Sequence, residues 1–359
     1  MKIQKATARY EEWLGARLTI VPADLELKHR QMTSALFPFM RATYYRWAQI
    51  FPQVCAGLQK APVVLGVGDL HVENFGTWRD VEGRLIWGVN DFDEAWHLPY
   101  THDLVRLAAS AHIAITENHL ALDLTEAADA ILEGYGASLE AGGRPFVLAE
   151  HHALLREMAV HRLKEVCGFW EKLEKCQPVK GKLPETAQKS MSRMMPAQGL
   201  KPHYVQRIAG LGSLGRQRFV GLAQWHTSNV AREAKAMAAS ACWWASGGSG
   251  SSRILYQQAL DTAVRCCDPF VKLKGRWIVR RLAPDCSRIE LSELPKERSE
   301  RVLLRAMGYE TANVHVGSKK AKAIQTDLKK RPKGWLAAAA QDMLQAVTAD
   351  WSDWRKPAA

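Results

Sequence analysis

The sequence lacks the cysteine patterns that would indicate disulfide bonds or a structural metal site. Its seven cysteines include no C-x-x-C pair and no spacing typical of a zinc site. A disulfide framework and a zinc-stabilised module are therefore excluded as the basis of the fold. Free thiols are typical of a reducing compartment, so we expect a cytoplasmic location.

A long apolar run is also missing. No stretch reaches the roughly 18 apolar residues that a membrane span requires, and the first residues lack the apolar core of a signal peptide. We expect a soluble protein with no membrane partner. With 359 residues, 47% of them hydrophobic, the chain is long enough for one catalytic unit of two lobes.

Aromatic residues are sparse where positive charge is densest. The formal net charge of +12 is concentrated in 160–207, with ten Lys and Arg against four Glu, and in 296–335, with eleven against four acidic residues. Basic segments attract anionic partners, but a nucleic-acid platform also needs aromatic side chains for base stacking. The sequence favours a solvated basic surface over a nucleic-acid site, which stays an alternative.

Two acidic clusters follow two apolar, β-rich runs. The run 62–67 leads into 68–74, and the run 85–89 leads into 90–94. If these strands are neighbours, one sheet edge presents the oxygen-bearing side chains of Asp69, Asn74, Asp91 and Asp93. Clustered carboxylates cost free energy unless a cation, a proton or a hydrogen-bond donor compensates them. Because oxygen-only ligands suit Mg²⁺, which is usually shared with substrate phosphates, we predict a magnesium site here.

A glycine-rich loop occurs in the second half of the chain. Residues 210–215 read Gly-Leu-Gly-Ser-Leu-Gly, and backbone N–H groups of such a loop can approach a phosphate closely. A dinucleotide-binding unit would begin a helix at this loop and use an acidic residue such as Glu233. A kinase would continue with a second strand and place a lysine, here Lys235, on the third. The β-leaning run 218–222 favours the kinase arrangement but leaves the other open.

The rest of the pattern predicts the domain organisation. Apolar side chains recur at helical spacing over much of 1–60, after Asp103, around 120–140 and around 150–175. We predict a helical lobe over 1–175, a linker or mobile basic loop over 176–203, a sheet lobe over 204–290 and a basic helical segment over 291–359.

The acidic half resembles the active-site core of the protein-kinase-like superfamily, particularly aminoglycoside and choline kinases. Asp69 is followed five residues later by Asn74, a strand delivers Asp91, and Asp103 opens a helix. The resemblance implies a catalytic role for Asp69, metal binding by Asn74 and Asp91, and a bracing role for Asp103. We expect His71 to be a hydrogen-bonded, orienting residue of the catalytic loop.

The whole chain also resembles a bacterial family called domain of unknown function 2252 (DUF2252). The motifs that carry this resemblance lie at 68–76, 90–94, 106–110, 210–215 and in the pair Lys235 and Ser240. They cover about residues 28–320. The glycine loop follows Asp69 by more than 130 residues, the reverse of the order in ordinary kinases. The resemblance therefore implies an α+β, kinase-like, two-lobed fold that is circularly permuted, with a small antiparallel sheet lobe and a larger helical lobe.

These resemblances imply an ATP- and Mg²⁺-dependent phosphotransferase that acts on a hydroxyl-bearing acceptor. Asp69 would accept the acceptor's proton, and Lys235 would bind phosphate oxygens. The loop residues that would cover the nucleotide phosphates are Gly210, Gly212, Ser213 and Gly215. If this is right, strands near 204–210, 218–224 and 230–235 form one antiparallel sheet, and the Lys235 ammonium lies within roughly 10 Å of Asp91.

Two other functions stay open from the sequence. One is a non-catalytic, nucleotide-binding regulatory protein. The other is a metal-dependent phosphoesterase, because His97 and His102 near the acidic clusters offer mixed Asp and His ligands for a two-metal site.

Overall fold

The computed structural model describes residues 1–118, 122–148, 150, 152–162, 166–179, 181–248, 252–284, 286 and 299–356. This part of the chain is a mixed α+β protein with small antiparallel sheets, as predicted. Its helices are α1 (Ile3–Gly15), α2 (Pro22–Ser34), α3 (Leu36–Ala42), α4 (Tyr44–Val54), α5 (Tyr100–Asn118), α6 (Leu124–Ala141), α7 (Ala153–Arg162), α8 (Val166–Glu174), α9 (Glu185–Ser192), α10 (Ala241–Ala245), α11 (Tyr256–Thr262), α12 (Ser299–Val316), α13 (Ala321–Leu328) and α14 (Trp335–Trp354). Its strands are β1 (Val63–Gly66), β2 (Phe75–Arg79), β3 (Leu85–Val89), β4 (Trp96–Pro99), β5 (Phe146–Val147), β6 (Gln177–Pro178), β7 (His203–Gln206), β8 (Arg218–Trp225), β9 (Ser228–Ala236), β10 (Lys272–Lys274) and β11 (Trp277–Leu282).

The first half of the chain is helical where the apolar spacing predicts it. Phe37 and Met40 of α3 and Tyr44 and Trp47 of α4 are all buried, which is the face expected from the sequence. Pro38 lies in the first turn of α3, where a missing N–H removes no intrahelical hydrogen bond. None of the described helices is both long and apolar enough to cross a membrane.

The helices around α5 form the larger packing unit. Helices α6 and α12 lie against each other at glycines: a Cβ atom on Gly134 would collide with the backbone of Arg305, and one on Gly308 with that of Ile131. Both helices contribute side chains to one apolar core, whose members extend along the sequence from Ile3 to Val347. The same core includes residues of β9 and β11, so the helices and the large sheet share a buried interior.

The expectation that β1 and β3 are neighbours is wrong. Strand β1 pairs with β4, whereas β3 pairs with β2 and β5 in a separate three-stranded sheet. The reason is that residues 75–79 form a strand of their own, which makes a hairpin with β3. The two acidic clusters still meet, because the loop after β1 runs directly into β2.

The second half of the chain forms a six-stranded antiparallel sheet in the order β10-β11-β9-β8-β7-β6. The predicted antiparallel pairing of three strands is confirmed, with Val205 opposite Val220 and Val220 opposite Glu233. The glycine loop contains only a short 3-10 turn, Leu211–Ser213, and β8 follows it. A dinucleotide-binding unit, which needs a helix here and parallel strands, is therefore excluded.

The segment 176–203 differs from the predicted linker or mobile loop. It contains β6 and α9, and α9 packs on the large sheet through the buried side chains of Ala187 and Met191. The sequence did not indicate this helix, because it has only two buried apolar positions in a segment rich in proline, glycine and lysine. The predicted boundary between 290 and 291 lies outside the described residues.

The start of the chain is tied to the glycine loop. Ile20 forms an isolated antiparallel bridge with Arg216, and the Val21 N–H donates to the Gly215 carbonyl at 2.8 Å. These contacts place α2 and α3 against the loop.

Glu310 of α12 gives the fold a testable pH dependence. Its Oε1 accepts from the Val89 N–H at 3.2 Å, and burial raises the pKa of this carboxyl to about 7 although Arg265 opposes the shift. A raised pKa means that the folded state keeps a proton which the unfolded chain releases above about pH 4.5. We expect stability to fall by about 1 kcal/mol per pH unit for this group between pH 4.5 and 7.

Urea unfolding of the Glu310→Gln variant at pH 5, 6 and 7 measures this effect. The dependence of the unfolding free energy on pH should be weaker than in the unmodified protein. Some dependence should remain, because burial also raises the pKa of Glu94 to about 7. Glu12→Gln on the exposed face of α1 is the matched control and should leave the dependence unchanged. An unaltered slope in Glu310→Gln would show that Glu310 is ionised in the folded state.

Candidate active site

The loop after β1 is held by Asp103 at the start of α5. The Asp103 carboxylate accepts from the Val67 N–H at 2.6 Å and from the Gly68 N–H at 2.9 Å, while His315 lies 3.0 Å from its Oδ2. Burial alone would raise the pKa of Asp103, but the His102 ring, 3.6 Å away, and the hydrogen bond with His315 hold this pKa well below its usual range. Gly68 has φ +85°, and a Cβ atom there would lie 2.8 Å from the Tyr44 Oη. The bracing role implied for Asp103 is therefore present.

Asp69 follows this loop and is oriented by a buried arginine. Arg106 donates from Nε at 3.1 Å and from Nη2 at 2.6 Å, both to Asp69 Oδ1. Oδ2 takes part in no hydrogen bond among the described residues. Burial raises the pKa of Asp69 above its ordinary value, although Arg106 opposes the shift. One carboxylate oxygen is thus fixed and the other is left to face the cavity.

His71 and Asn74 shape the turn that leads into β2. The Asn74 Oδ1 accepts from the His71 N–H at 2.7 Å, and the His71 Nδ1 accepts from the Glu73 N–H at 3.2 Å. The Asn74 carbonyl accepts from the Asn90 N–H at 2.9 Å, which joins the two acidic clusters directly. The His71 side chain therefore has the hydrogen-bonded, orienting position expected from the sequence, the Asn74 side chain also caps the turn, and both line the cavity.

The second acidic cluster contacts Lys235 from the large sheet. The Lys235 Nζ lies 2.5 Å from Asp93 Oδ2 and 3.7 Å from Asp91 Oδ2, across a separation of 142 residues to Asp93. The prediction that the lysine reaches Asp91 is confirmed. Burial would raise the pKa of Asp91, but the Lys235 ammonium lowers this pKa well below its usual range. The pKa of Asp93 is raised, because the side chain is buried and lies beside the charge of Asp91. The ammonium is the cation that compensates these carboxylates.

Most of the predicted site residues line one small cavity of about 50 Å³. The predicted residues at its surface are Asp69, His71, Asn74, Asp91, Asp93, Gly210, Gly212 and Ser213. Gly212 lies directly over Asp69, since a Cβ atom there would be 3.6 Å from Asp69 Oδ2 and 3.1 Å from the Arg41 carbonyl. Gly215 lies apart from the cavity, at the end of the loop against Leu25 of α2.

Sequence reasoning missed the basic residues of this cavity. Lys28, Arg41 and Arg216 line it on the side formed by α2, α3 and the residue after the glycine loop. Arg41 lies among aromatic residues in the sequence, where it can simply cover them, and Lys28 carries no local signal at all. Glu94 also lines the cavity and was missed. Arg216 directly follows the glycine loop and Glu94 ends the second acidic run, so their positions beside these motifs could have indicated that they belong to the site.

A larger cavity of about 380 Å³ adjoins the first, since Asp91 and Gly210 line both. Its charged lining is mainly arginine: Arg207, Arg265, Arg280 and Arg281, with Asp91 and Asp268 as the acidic members. Tyr256, Trp78 and Phe169 supply aromatic surface. The cavity therefore suits an anionic ligand with an aromatic part.

Glu233 has a structural role beside this larger cavity. Its carboxylate accepts from Arg207 at 2.6 Å and from Arg218 and Arg280 at 2.9 Å each. Burial would raise its pKa, but the three guanidinium groups hold it well below the usual value. Glu233 is thus not the partner of Lys235, whose carboxylate partners are Asp91 and Asp93.

The mixed Asp and His metal site of a phosphoesterase is not formed within the described residues. No group of three or more His, Cys, Asp or Glu there could hold a metal ion. His97 is exposed on β4, and His102 is buried with its ring 4.6 Å from that of Phe51. A Mg²⁺ ion shared with substrate phosphates needs fewer protein ligands, and the oxygens of Asp91, Asp93 and Asn74 fit that need.

Fold and site together define a class of protein. It is an α+β protein in which an antiparallel sheet, carrying a glycine loop and a lysine, closes over a cavity lined by carboxylates and buried cations.

A protein-family model described as "Uncharacterized protein conserved in bacteria (DUF2252)" matches residues 17–178 and 182–357. The chain belongs to this family. Neither the comparison with curated proteins nor that with solved structures found a match.

Proposed function

We propose that this protein is an ATP- and Mg²⁺-dependent phosphotransferase that acts on a hydroxyl-bearing acceptor. The approach of Lys235 to Asp91 and Asp93 carries the proposal. In kinase-like enzymes a glycine loop, a lysine on the third strand of the sheet and a metal-binding aspartate act on one phosphate chain. Here the loop joins β7 to β8, and Lys235 lies on β9, 3.7 Å from Asp91.

The two adjoining cavities support a division between nucleotide and acceptor. The larger one has a volume typical of a ligand pocket, and its arginines suit a nucleotide. Gly210 and Asp91 stand at the junction of the two cavities, and Asp69 lies in the smaller one. We assign the nucleotide to the larger cavity and the reacting hydroxyl to the smaller one.

Asp91, Asp93 and Asn74 are the residues that would hold the metal. When bound, Mg²⁺ would neutralise charge on the transferred phosphoryl group. Asn74 Oδ1 already accepts one hydrogen bond from the His71 N–H and has a second lone pair to offer. Lys235 contacts both Asp91 and Asp93, so a metal ion bound there would share these carboxylates with the ammonium.

Asp69 is the proposed general base. Arg106 binds Oδ1 and fixes the carboxylate, while Oδ2 is left to accept the proton of the acceptor hydroxyl. Burial raises the pKa of Asp69, which makes its carboxylate a better proton acceptor than an exposed one.

The Asp69→Asn variant tests this role. It should still bind ATP in the presence of Mg²⁺, because the proposed nucleotide contacts are elsewhere. Phosphoryl transfer should slow by about 10² to 10⁴-fold, the typical contribution of a general base. Nucleotide binding by calorimetry and transfer from radiolabelled ATP measure the two effects separately. A parallel loss of binding and rate would assign Asp69 a structural role instead.

A turnover screen of the unmodified protein separates this proposal from the nucleotide-binding regulator. ATP and Mg²⁺ are supplied with sugars, amino alcohols, nucleosides, lipids and protein side-chain acceptors. Transfer to any acceptor class supports the phosphotransferase. Tight Mg²⁺-dependent ATP binding without transfer to any of them would support the regulatory protein.

A further inference from the structure

Three basic side chains line one part of the smaller cavity, which we call its basic wall. Lys28 of α2, Arg41 of α3 and Arg216 after the glycine loop form this basic wall. The metal-binding side chains proposed above already have their own cation in Lys235. Arg41 and Arg216 pair with Glu73 and Glu94 but keep unpaired donors, and Lys28 has no acidic partner among the described residues. These unused donors point to a further partner.

Lys28 shows most clearly that this partner lies outside the chain. Only 3% of the residue is exposed, and no described residue gives its ammonium a hydrogen bond or an ion pair. Its Nζ lies 5.6 Å from the centre of the Tyr45 ring. Burial lowers the pKa of Lys28 to about 8. A buried ammonium without a partner is costly, and an anion in the cavity would remove that cost.

The two arginines of the basic wall also keep unused donors. Arg216 is 4% exposed and donates from Nη2 to Glu94 at 3.2 Å and to Tyr10 at 3.4 Å. Its Nε and Nη1 have no hydrogen-bond partner in the described part of the chain, although Nη1 lies 3.8 Å from Asp93. Arg41 pairs with Glu73 at 2.5 Å, and its buried Nε is likewise without an acceptor there.

We propose that Lys28, Arg41 and Arg216 bind an oxyanion, a phosphate or carboxylate group, of the acceptor whose hydroxyl faces Asp69. The acceptor is then an anionic hydroxyl compound such as a phosphorylated or carboxylated metabolite. This proposal rests on the proposed function, because it assigns the smaller cavity to the acceptor. Guanidinium and ammonium groups are the usual ligands for both oxyanions, and a cavity of about 50 Å³ has room for a group of that size.

The same cations could instead serve the terminal phosphate of the nucleotide. The two sources differ in one property: an oxyanion of the acceptor binds beside the nucleotide, whereas the terminal phosphate belongs to it. Competition between a small oxyanion and a non-hydrolysable ATP analogue therefore distinguishes them.

Calorimetric titration of inorganic phosphate and of acetate into the full chain is the experiment. Each titration is done with and without Mg²⁺ and a saturating non-hydrolysable ATP analogue. We expect at least one of the two oxyanions to bind under both conditions. Lys28→Met should weaken that binding by about ten- to a hundredfold, and Lys28→Arg should restore part of it. Lys60→Met, an exposed lysine-to-methionine change, is the matched control and should have no effect.

The Lys28→Met variant should fold, since replacing a buried, unpaired cation by an apolar side chain of similar length removes a desolvation cost. Thermal unfolding checks this. Absence of oxyanion binding to the unmodified protein, equal binding by Lys28→Met, or displacement by the ATP analogue would each overturn the acceptor site. Lys28-dependent oxyanion binding in a protein that fails to bind ATP would overturn the phosphotransferase while supporting the oxyanion site.

Discussion

The Asp91→Asn variant is expected to turn over ATP about a thousandfold more slowly than the unmodified protein in the presence of Mg²⁺. Removing one electrostatic contact from a closed active site typically has an effect of this size. The change removes a negative charge from an oxygen-only metal site. It keeps an oxygen that can accept from the Asp93 N–H, a bond of 3.1 Å to Asp91 Oδ1 in the unmodified protein. Lys235 keeps its 2.5 Å contact with Asp93, so the fold should be retained.

Turnover is measured as a function of Mg²⁺ concentration, with thermal unfolding as the check on folding. Asp129→Asn on the exposed face of α6 is the matched control and should behave as the unmodified protein does. If Asp91→Asn kept full turnover with the same Mg²⁺ dependence, Asp91 would not be a metal ligand.

The largest stability effect is expected for Glu233→Gln. The substitution removes the single charge that three arginines share, Arg207, Arg218 and Arg280. Removing one partner of a buried ion pair typically costs about 3 to 5 kcal/mol, because the other charges stay buried and unpaired. Urea unfolding at pH 7 should show a loss of this size.

The pH dependence of this loss identifies its cause. The folded pKa of Glu233 lies below the unfolded value of about 4.5, so its contribution is complete above that pH and is lost as the pH falls through the folded pKa. The difference in unfolding free energy between Glu233→Gln and the unmodified protein should be constant from pH 5 to 8 and should become smaller below pH 4.5. The control is Glu185→Gln on α9, whose exposed pair with Lys189 should contribute nothing measurable. A loss equal to that of Glu185→Gln would mean that the three arginines find other partners.

The short motifs of the site were predictable because each lies within one loop. The spacing of Asp69 and Asn74, the run 90–94 and the glycine loop at 210–215 need no knowledge of distant contacts. The antiparallel sheet around Lys235 could also be predicted, since the β-leaning runs and the loop lie next to one another in the sequence.

Features that depend on pairing between distant segments could not be predicted. The prediction that β1 and β3 pair with each other was wrong, because β1 pairs with β4 and β3 pairs with β2. Both partners are short strands that the sequence pattern did not indicate. Lys28 is one lysine on an ordinary helix in the sequence, and only the folded chain buries it near Tyr45. Glu233 meets its three arginines only once the register of β7, β8, β9 and β11 is fixed.

The long separation between the two halves of the site has a consequence for synthesis of the chain. Asp91 and Asp93 leave the ribosome long before Lys235, 142 residues after Asp93, and Asp103 waits for His315, 212 residues further on. Contacts of such long range form slowly and only after most of the polypeptide is available. A nascent fragment that ends before β9 therefore carries the carboxylates without their ammonium, and the site can assemble only after the chain has been synthesised through His315.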